Sequence, residues 1–290
     1  MLNKKITMDM THGSLWNKIL MFALPLAASS ILQQLFNSVD TAVVGRFASS
    51  QALAAVGSNS SLISLMINLF IGISLGSNVV IAHYIGQKSE KNIHAAVHTA
   101  IVVAILSGVF VMILGQFIAK PVLLLMGTPE DVIDLAVLYL RIYLIGMPFI
   151  MLYDFGSSIL RSTGDSKRPL YSLIVAGIVN TVLNLILVIV FKLGVSGVAI
   201  ATVISNVVSS SIVMVILMHE SEPIRLDVRK LTIVPRELKK ILTIGVPAGL
   251  QGMVFSIAKY VYRVLLTALV QQQSQVQRLR LTMSFSHILW

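Results

Sequence analysis

The sequence predicts an all-α, polytopic membrane protein, with one six-helix transmembrane lobe followed by the start of a seventh span. Hydrophobic residues make up 56% of the chain and charged residues only 12%, and the mean hydropathy is +0.87. A soluble domain typically carries about 25% charged residues. At ~20 residues per span plus short loops, the 290 residues have room for six or seven spans.

The individual spans follow from the apolar runs and the residues that interrupt them. Six spans are predicted, at about 15–47, 53–85, 93–118, 129–160, 169–191 and 195–218. We expect Lys120 and Pro121 to close the third span. Thr128 is the predicted N-cap of the fourth, because Pro129 and then two acids follow it. The fourth span also contains Pro148, which would hinge or kink it.

The segments outside these spans complete the predicted organisation. It comprises a cytoplasmic N-terminal segment at 1–14, the six-helix lobe at 15–219, an amphipathic cytoplasmic linker at 220–239, and the start of a second repeat with an aberrant tail at 240–290. Residues 1–14 lack the apolar core and small-residue cleavage site of a secretory signal. The first span is therefore expected to stay in place.

The distribution of Lys and Arg between the loops predicts the orientation. One side collects fourteen basic residues: Lys4, Lys5, Lys18, Lys88, Lys91, Arg161, Lys167, Arg168, Arg225, Arg229, Lys230, Arg236, Lys239 and Lys240. The opposite side holds three: Arg46, Lys120 and Lys192. By the positive-inside rule, the N-terminus is predicted to be cytoplasmic in the plasma membrane. The net charge of +10 does not indicate a nucleic-acid partner, because the basic residues lie in loops, where they contact anionic lipid head groups.

The residue types needed for enzyme chemistry are missing from the sequence. It contains no cysteine, which excludes a disulfide framework and a thiolate metal site. Its six histidines include none at metalloprotease spacing, and no nucleophile–base pair is recognisable. We expect neither an enzyme nor an organic cofactor.

A short repeat links the two ends of the chain. The pattern Lys-Ile-Leu-x4-Pro starts at Lys18 and again at Lys240, 222 residues later. An even number of predicted spans separates the copies, so both helices would start on the same side of the membrane. This is the parallel arrangement of two halves related by an axis along the membrane normal.

A carboxylate in the first span is the main candidate functional residue. Asp40 lies near the far end of that span, and a charge inside a membrane helix costs roughly 2.5–3.5 kcal/mol. Asn180 and Asn184 share one face of the fifth span, and the turn at 192–194 brings Thr202 to a similar depth. These polar residues favour an ion-binding cluster. The alternatives are an interfacial Asp40 and polar residues that only hydrogen-bond between helices.

Several segments together resemble the multidrug and toxic compound extrusion (MATE) family of secondary transporters. They are Leu-Pro-Leu at 24–26, Ser-Val-Asp-Thr-Ala-Val-Val-Gly at 38–45, Leu-Ala-Ala-Val-Gly at 53–57, Ile-Leu-Arg-Ser-Thr-Gly-Asp-Ser-Lys-Arg-Pro at 159–169, the two asparagines of the fifth span, and Gly-Val-Ser-Gly-Val-Ala-Ile-Ala-Thr at 194–202. The resemblance covers about residues 12–257.

The resemblance implies a fold of two six-helix lobes and export of cationic, lipophilic drugs or toxins in exchange for protons or sodium ions. It implies an ion-coupling cluster at Asp40, Asn180, Asn184 and Thr202, with sodium at Asp40 as the only metal interaction expected. Some family members carry a second acid where this chain has Asn184, which leaves Asp40 as the main charge. Membrane lipid and a small cationic substrate would be the partners. Five residues are predicted to line a substrate cavity or, alternatively, to serve packing: Phe36, Asn37, Met66, Asn68 and Tyr153.

The last part of the sequence departs from the family pattern. Two basic residues, Lys259 and Arg263, stand where a membrane helix should continue, and a glutamine-rich run follows. We interpret this as a truncated or frameshifted second half, or as a natural half-transporter whose second lobe comes from another chain. Two other functions stay open at this point: a lipid-linked sugar flippase of related fold, and a remnant that transports nothing.

Overall fold

The computed structural model describes residues 15–288, and it is built of α-helices joined by short loops. In chain order these are α1 (Leu15–Phe47), α2 (Ser50–Gly86), α3 (Glu90–Leu125), α4 (Glu130–Ile145), α5 (Met147–Ser162), α6 (Lys167–Leu185), α7 (Val195–Met218) and α8 (Pro235–Ile288). The described residues contain no β-strand, so the predicted all-α class is confirmed. The predicted N-terminal segment 1–14 lies outside the described residues.

The helices are long and apolar enough to cross a membrane. Six of them qualify in the described part of the chain, and seven spans result when the bent pair α4–α5 counts as one. The protein is therefore a multi-pass membrane protein. We call the side where α1 begins the N-terminal face; the α2–α3, α5–α6 and α7–α8 connections lie there too. The α1–α2, α3–α4 and α6–α7 connections lie on the opposite face.

Two predicted boundaries on the opposite face are wrong. Helix α3 does not end at Lys120 and Pro121 but continues through them to Leu125. A membrane helix tolerates proline because its neighbours compensate for the lost backbone bond. Thr128 is not the N-cap of α4; Pro129 occupies that position, with an extended ψ of 148°. Its carbonyl accepts the N–H groups of Val132 and Ile133, so the backbone alone closes the first turn.

The predicted fourth span is broken rather than continuous. Helix α4 ends at Ile145, α5 starts at Met147, and the two axes differ by 47°. Pro148 causes the break because it has no N–H to donate to the carbonyl of Leu144 in the preceding turn. Gly108 on α3 makes room for the bend, since a Cβ there would lie 2.5 Å from the Pro148 Cα atom. The break therefore gives α4 and α5 different directions within one span.

The fifth span ends in a widened turn. After α6, residues Ile186–Val190 form a single π-helical segment. Lys192 and Gly194 then both adopt left-handed conformations, with φ of 54° and 55°. This reverses the chain within a few residues, as predicted for 192–194, and α7 packs back along α6.

The segment between α7 and α8 lies against the lobe. Its side chains Ile224 and Leu226 are buried. The Asp227 N–H donates to Nε2 of His98 over 3.2 Å, and the Val234 N–H donates to the Thr99 hydroxyl over 3.1 Å. The predicted linker is thus fastened to the start of α3. Helix α8 follows, and its apolar span covers Pro235–Lys259.

Candidate functional site

Asp40 lies buried in the helix bundle, with only 7% of its surface exposed. It is seven residues before the end of α1 at Phe47, which places it ~10 Å below the opposite face. The side-chain N–H of Asn184 on α6 donates a short hydrogen bond to its Oδ1 atom. The carboxylate therefore lies inside the membrane span and not at the water interface, as the alternative reading had it.

The hydrogen bonds continue from Asp40 across three helices. Asn184 Nδ2 also donates to Asn180 Oδ1 over 3.1 Å. Asn180 Nδ2 in turn donates to the Thr202 hydroxyl on α7 over 3.4 Å, and that hydroxyl donates to the Val198 carbonyl over 2.9 Å. The structure thus brings together all four residues predicted for the ion-coupling cluster.

Local structure explains why the four residues meet. Asn180 and Asn184 are one helical turn apart on the buried face of α6. The π-helical segment starts two residues after Asn184, and such widened turns are frequent at functional sites. The position of α1 along α6 is set by a close contact: the ring of Phe36 covers Gly177, where any Cβ would clash with the ring.

The cluster holds oxygen atoms from three helices in one chain of hydrogen-bonded side chains. Oδ1 of Asn184 is buried and has no hydrogen-bond partner, although a buried amide oxygen is normally satisfied. Together with the Asp40 carboxylate, the Asn180 amide oxygen and the Thr202 hydroxyl, it forms a set suited to a hard cation. The carboxylate alone can instead hold a proton. Either ion would neutralise the only carboxylate of this cluster.

Two tyrosines of α4 also border the cluster and were not predicted from the sequence. Tyr139 and Tyr143 are buried, and their ring centroids lie 6.1 Å apart. Both are close enough to interact electrostatically with Asp40. Their spacing of one helical turn on an apolar helix was the available signal. Their proximity to Asp40 depends on the packing of α4 against α2 and α7, which the sequence alone does not reveal.

The residues predicted to line a substrate cavity lie at separate places. Phe36 packs on Gly177, and Met66 packs against the core. Asn37 is exposed. Asn68 donates to the Ser256 hydroxyl on α8 over 2.9 Å, and the Tyr153 hydroxyl donates to the Pro169 carbonyl over 3.3 Å. The substrate cavity remains a prediction.

A second polar group lies between α2 and α5. The Ser158 hydroxyl donates to the Ser74 carbonyl over 2.5 Å, and Asn78 donates to the Ser158 carbonyl over 2.9 Å. Next to them, four buried polar atoms have no partner: Ser77 Oγ, Asp154 Oδ2, Ser157 Oγ and Arg161 Nε. Asp154 and Arg161 attract each other electrostatically without forming an ion pair.

A cavity of about 410 Å³ opens on the opposite face, near the Asp40 end of α1. Phe47 and Ser49 of the α1–α2 turn contribute to its lining, as do Lys192 and Gly194 of the α6–α7 turn. Val188 of the π-helical segment forms part of the wall. Water and ions from that face can therefore come within about two helical turns of the cluster.

Comparison with known proteins agrees with this arrangement. The MatE family model matches residues 25–186. The probable multidrug resistance protein YoeA of Bacillus subtilis is 36% identical over 261 residues, which is 88% of this chain and 56% of the relative. The probable multidrug resistance protein NorM of Thermotoga maritima is 28% identical, over 82% of this chain and 52% of its own length. The chain spans about half the length of these relatives.

Solved structures show the same fold. A multidrug resistance MATE family transporter in its outward-facing conformation has a TM-score of 0.79 and 26% identity, over 86% of this chain and 55% of that one. The inward-facing conformation scores 0.72 with 26% identity, over 78% of this chain and 51% of that one. The family model alone covers more than half of the chain. The chain belongs to the MatE family of multidrug transporters.

Proposed function

We propose that the chain forms the first lobe of a secondary antiporter that exports cationic, lipophilic drugs or toxins in exchange for protons or sodium ions. One observation carries this proposal. A buried carboxylate, Asp40, is hydrogen-bonded to polar residues of two other membrane helices. Ionisable residues inside a membrane span are rare and mark ion pathways.

The coupling follows from the burial of Asp40. An ion can drive a conformational change only if it binds one state better than the other. A charged carboxylate in the closed cluster is costly without a compensating positive charge, and a bound proton or sodium ion removes that cost. Loading Asp40 from the opposite face therefore favours the packed arrangement of α1 on α6.

The identity of the coupling ion depends on the partners of Asp40. Asn184 supplies an amide where some relatives carry a second acid, so the cluster has one negative charge. A single carboxylate is sufficient to carry a proton. Sodium would use the same carboxylate together with the amide oxygen of Asn180 and the unpartnered amide oxygen of Asn184. Imposing a pH gradient and a sodium gradient separately distinguishes the two ions.

Alternating access in such transporters requires two lobes, and we infer that helices α1–α7 form one lobe and that α8 begins the next. We propose that a second six-helix lobe completes the transport unit. A small cationic substrate would bind between the lobes. Membrane lipid would contact the remaining apolar surface, such as Phe110 and Phe117 of α3, which are 63% and 76% exposed.

We further propose a location in the plasma membrane with the N-terminal face in the cytoplasm. The charge difference of fourteen to three between the loops supports this orientation. Reporters fused after Lys88, Lys167 and Arg229 are expected to be cytoplasmic. Reporters after Arg46, Thr128 and Lys192 are expected outside. A cytoplasmic reporter at Thr128 would contradict the proposed topology.

The test of function is efflux by a completed protein. We would join residues 1–257 to the second half of the Bacillus relative and measure dye efflux from energised membrane vesicles. The 290-residue chain alone and the relative's second half alone are the controls. The completed protein is expected to export dye when a gradient is imposed, whereas neither half should. If the correctly inserted chimera exports nothing under either gradient, the proposal is wrong.

A further inference from the structure

Helices α2 and α8 touch along a line of glycines. Gly76 faces Gly245, and a Cβ at position 76 would lie 2.9 Å from the Gly245 Cα atom. One turn earlier on α2, Gly72 meets Gly249 more closely still, since a Cβ at position 72 would lie 2.1 Å from the Gly249 Cα atom. The contact ends where Asn68 donates to the Ser256 hydroxyl over 2.9 Å. We call this contact, from 68 to 84 on α2 and from 237 to 256 on α8, the seam.

The seam ends at the N-terminal face in three polar side chains, which we call the latch: Tyr84, Glu237 and Lys240. The Tyr84 hydroxyl donates to Glu237 Oε2 over 2.6 Å and accepts a short hydrogen bond from Lys240 Nζ. Lys240 Nζ also lies 4.0 Å from Glu237 Oε1 and 4.7 Å from the centre of the Tyr84 ring. Tyr84 is 3% exposed and Glu237 is 2% exposed.

The seam occupies only one half of α2. In the other half, towards the opposite face, the hydroxyls of Ser58, Ser60 and Ser64 donate to carbonyls of α2 itself, over 3.0, 2.7 and 2.7 Å. A Cβ at Gly57 would meet nothing within 4 Å. The two helices are thus tied together at the N-terminal face, and α2 is polar and less crowded towards the opposite face.

The composition of the seam suits a contact that opens and closes. Glycine surfaces let backbones approach closely but offer no interlocking side chains, so parting them breaks few specific contacts. The latch is different because its carboxylate is held by a phenol and an ammonium group, and hydrogen bonds to charged groups are the stronger ones. It therefore contributes much of the specificity of the closed seam.

We propose that the seam closes the N-terminal face between the first lobe and the first helix of the second, and that the latch holds it shut until that face opens. This inference rests on the proposed function, in which α8 begins the second lobe.

The seam itself is testable by disulfide formation, because the sequence contains no cysteine. A Cβ built on Gly252 lies 3.4 Å from the Asn68 Cβ atom, close to the 3.5–4.5 Å usual for a disulfide. We would oxidise the Asn68→Cys/Gly252→Cys chain in membranes and cut at a protease site inserted after the exposed Ser221. The fragments should stay joined without reductant. The pair Gly57→Cys/Gly252→Cys is the matched control and should separate; equal behaviour of both pairs would overturn the seam.

The latch is testable by alkylation of a buried reporter, Ile241→Cys. Ile241 is fully buried, and its carbonyl lies against Gly76. Tyr84→Phe and Glu237→Gln should each speed the alkylation of this cysteine by N-ethylmaleimide about tenfold or more. Tyr84→Phe removes the hydroxyl that donates to the Glu237 carboxylate, and Glu237→Gln removes the charge that strengthens this hydrogen bond. Tyr171→Phe, at a position 60% exposed on α6, is the matched control and should leave the rate unchanged.

The two measurements together separate the possible failures. If both latch variants keep the alkylation rate of the parent while the disulfide between positions 68 and 252 still forms, the proposed role of the latch is wrong and the seam is retained. If the disulfide no longer forms in the latch variants, the two helices have separated along the whole seam, which supports the proposed role of the latch. Neither measurement uses transport, so a chain that closes the seam but exports nothing would refute only the proposed function.

Discussion

Two acids within the membrane helices of the lobe, Asp40 and Asp154, differ in what surrounds them. Asp40 receives a hydrogen bond from Asn184, which connects it to Asn180 and Thr202. Asp154 has a buried oxygen without a partner, and its neighbour Arg161 has a buried nitrogen without one. Both acids are in membrane helices. A carboxylate held by a connected network has a defined position, whereas an unsatisfied one is costly unless water reaches it.

This difference indicates separate roles. The Asp40 network joins α1, α6 and α7, so a change in its charge is transmitted to three helices. Asp154 lies on α5 beside the polar contacts between α2 and α5, and no hydrogen bond connects its buried oxygen to them. We propose that the connections of such an acid, and not its burial alone, identify the coupling residue. The predictions below test this distinction.

The largest effect is expected for Asp40→Asn in the completed transporter. The substitution keeps the size of the side chain but removes the negative charge, so no ion can bind one state preferentially. Gradient-driven dye efflux from vesicles should fall to the background of vesicles without transporter, whereas equilibrium binding of the dye should be retained. Asp154→Asn is the matched control and should keep most of the efflux. Equal losses in the two variants would remove the distinction between the acids.

A smaller effect is expected when the neutral partners of Asp40 are shortened. Asn180→Ala and Thr202→Ala each remove one uncharged ligand, and efflux should fall about tenfold, as expected for a loss of ~1.4 kcal/mol. Asn184→Ala should be more severe than either because it removes the direct donor to the acid. The order of the three variants in the efflux assay is the test. If Thr202→Ala is as severe as Asp40→Asn, the charge is not the main determinant.

The packing that positions Asp40 should show a still smaller effect, mainly on stability. Gly177→Ala pushes the Phe36 ring away from α6, and overpacking of this kind costs roughly 1–3 kcal/mol. The thermal unfolding midpoint of the 290-residue chain in detergent should fall by several degrees. Gly57→Ala is the control, since its Cβ would meet nothing within 4 Å, and it should be neutral or slightly stabilising. Equal unfolding midpoints for Gly177→Ala and Gly57→Ala would show that Phe36 does not fix the position of α1 along α6.

The sequence was sufficient to predict the fold class and the cluster around Asp40. Apolar runs identify spans directly, and α1 and α7 have the predicted bounds. Asn180 and Asn184 were found because helical spacing places them on one face. In both cases the signal is local, so it can be read from a single chain.

The sequence was not sufficient where the outcome depends on packing between helices. Pro121 leaves α3 intact whereas Pro148 breaks the span between α4 and α5, although the two prolines look alike in the sequence. Only Gly108, opposite Pro148, shows where the bend is accommodated. Tyr139 and Tyr143 were missed for the same reason, because an apolar helix does not reveal which of its aromatic residues lies near an acid on another helix.

The smallest effect is expected for a third carboxylate, Asp227, which lies outside the membrane spans. The backbone N–H of Arg229 donates to it over 3.0 Å, and this hydrogen bond lowers the pKa of Asp227 below its usual value. A lowered folded-state pKa stabilises the turn Val228–Lys230 above the unfolded pKa of ~3.9. That contribution is lost as pH falls through the lower, folded value.

The charged Asp227 side chain is partly exposed, with Lys230 3.4 Å away at 70% exposure. Asp227→Asn should therefore leave the unfolding midpoint of the chain within about 1 °C of the parent at neutral pH, as expected for a surface ion pair. Amide exchange at the turn should increase in the parent below pH 4 and be independent of pH in the variant, after correction for intrinsic exchange rates. A large loss of stability in Asp227→Asn would show that the fastening of this segment to His98 and Thr99 depends on the side-chain charge and not on the backbone bonds alone.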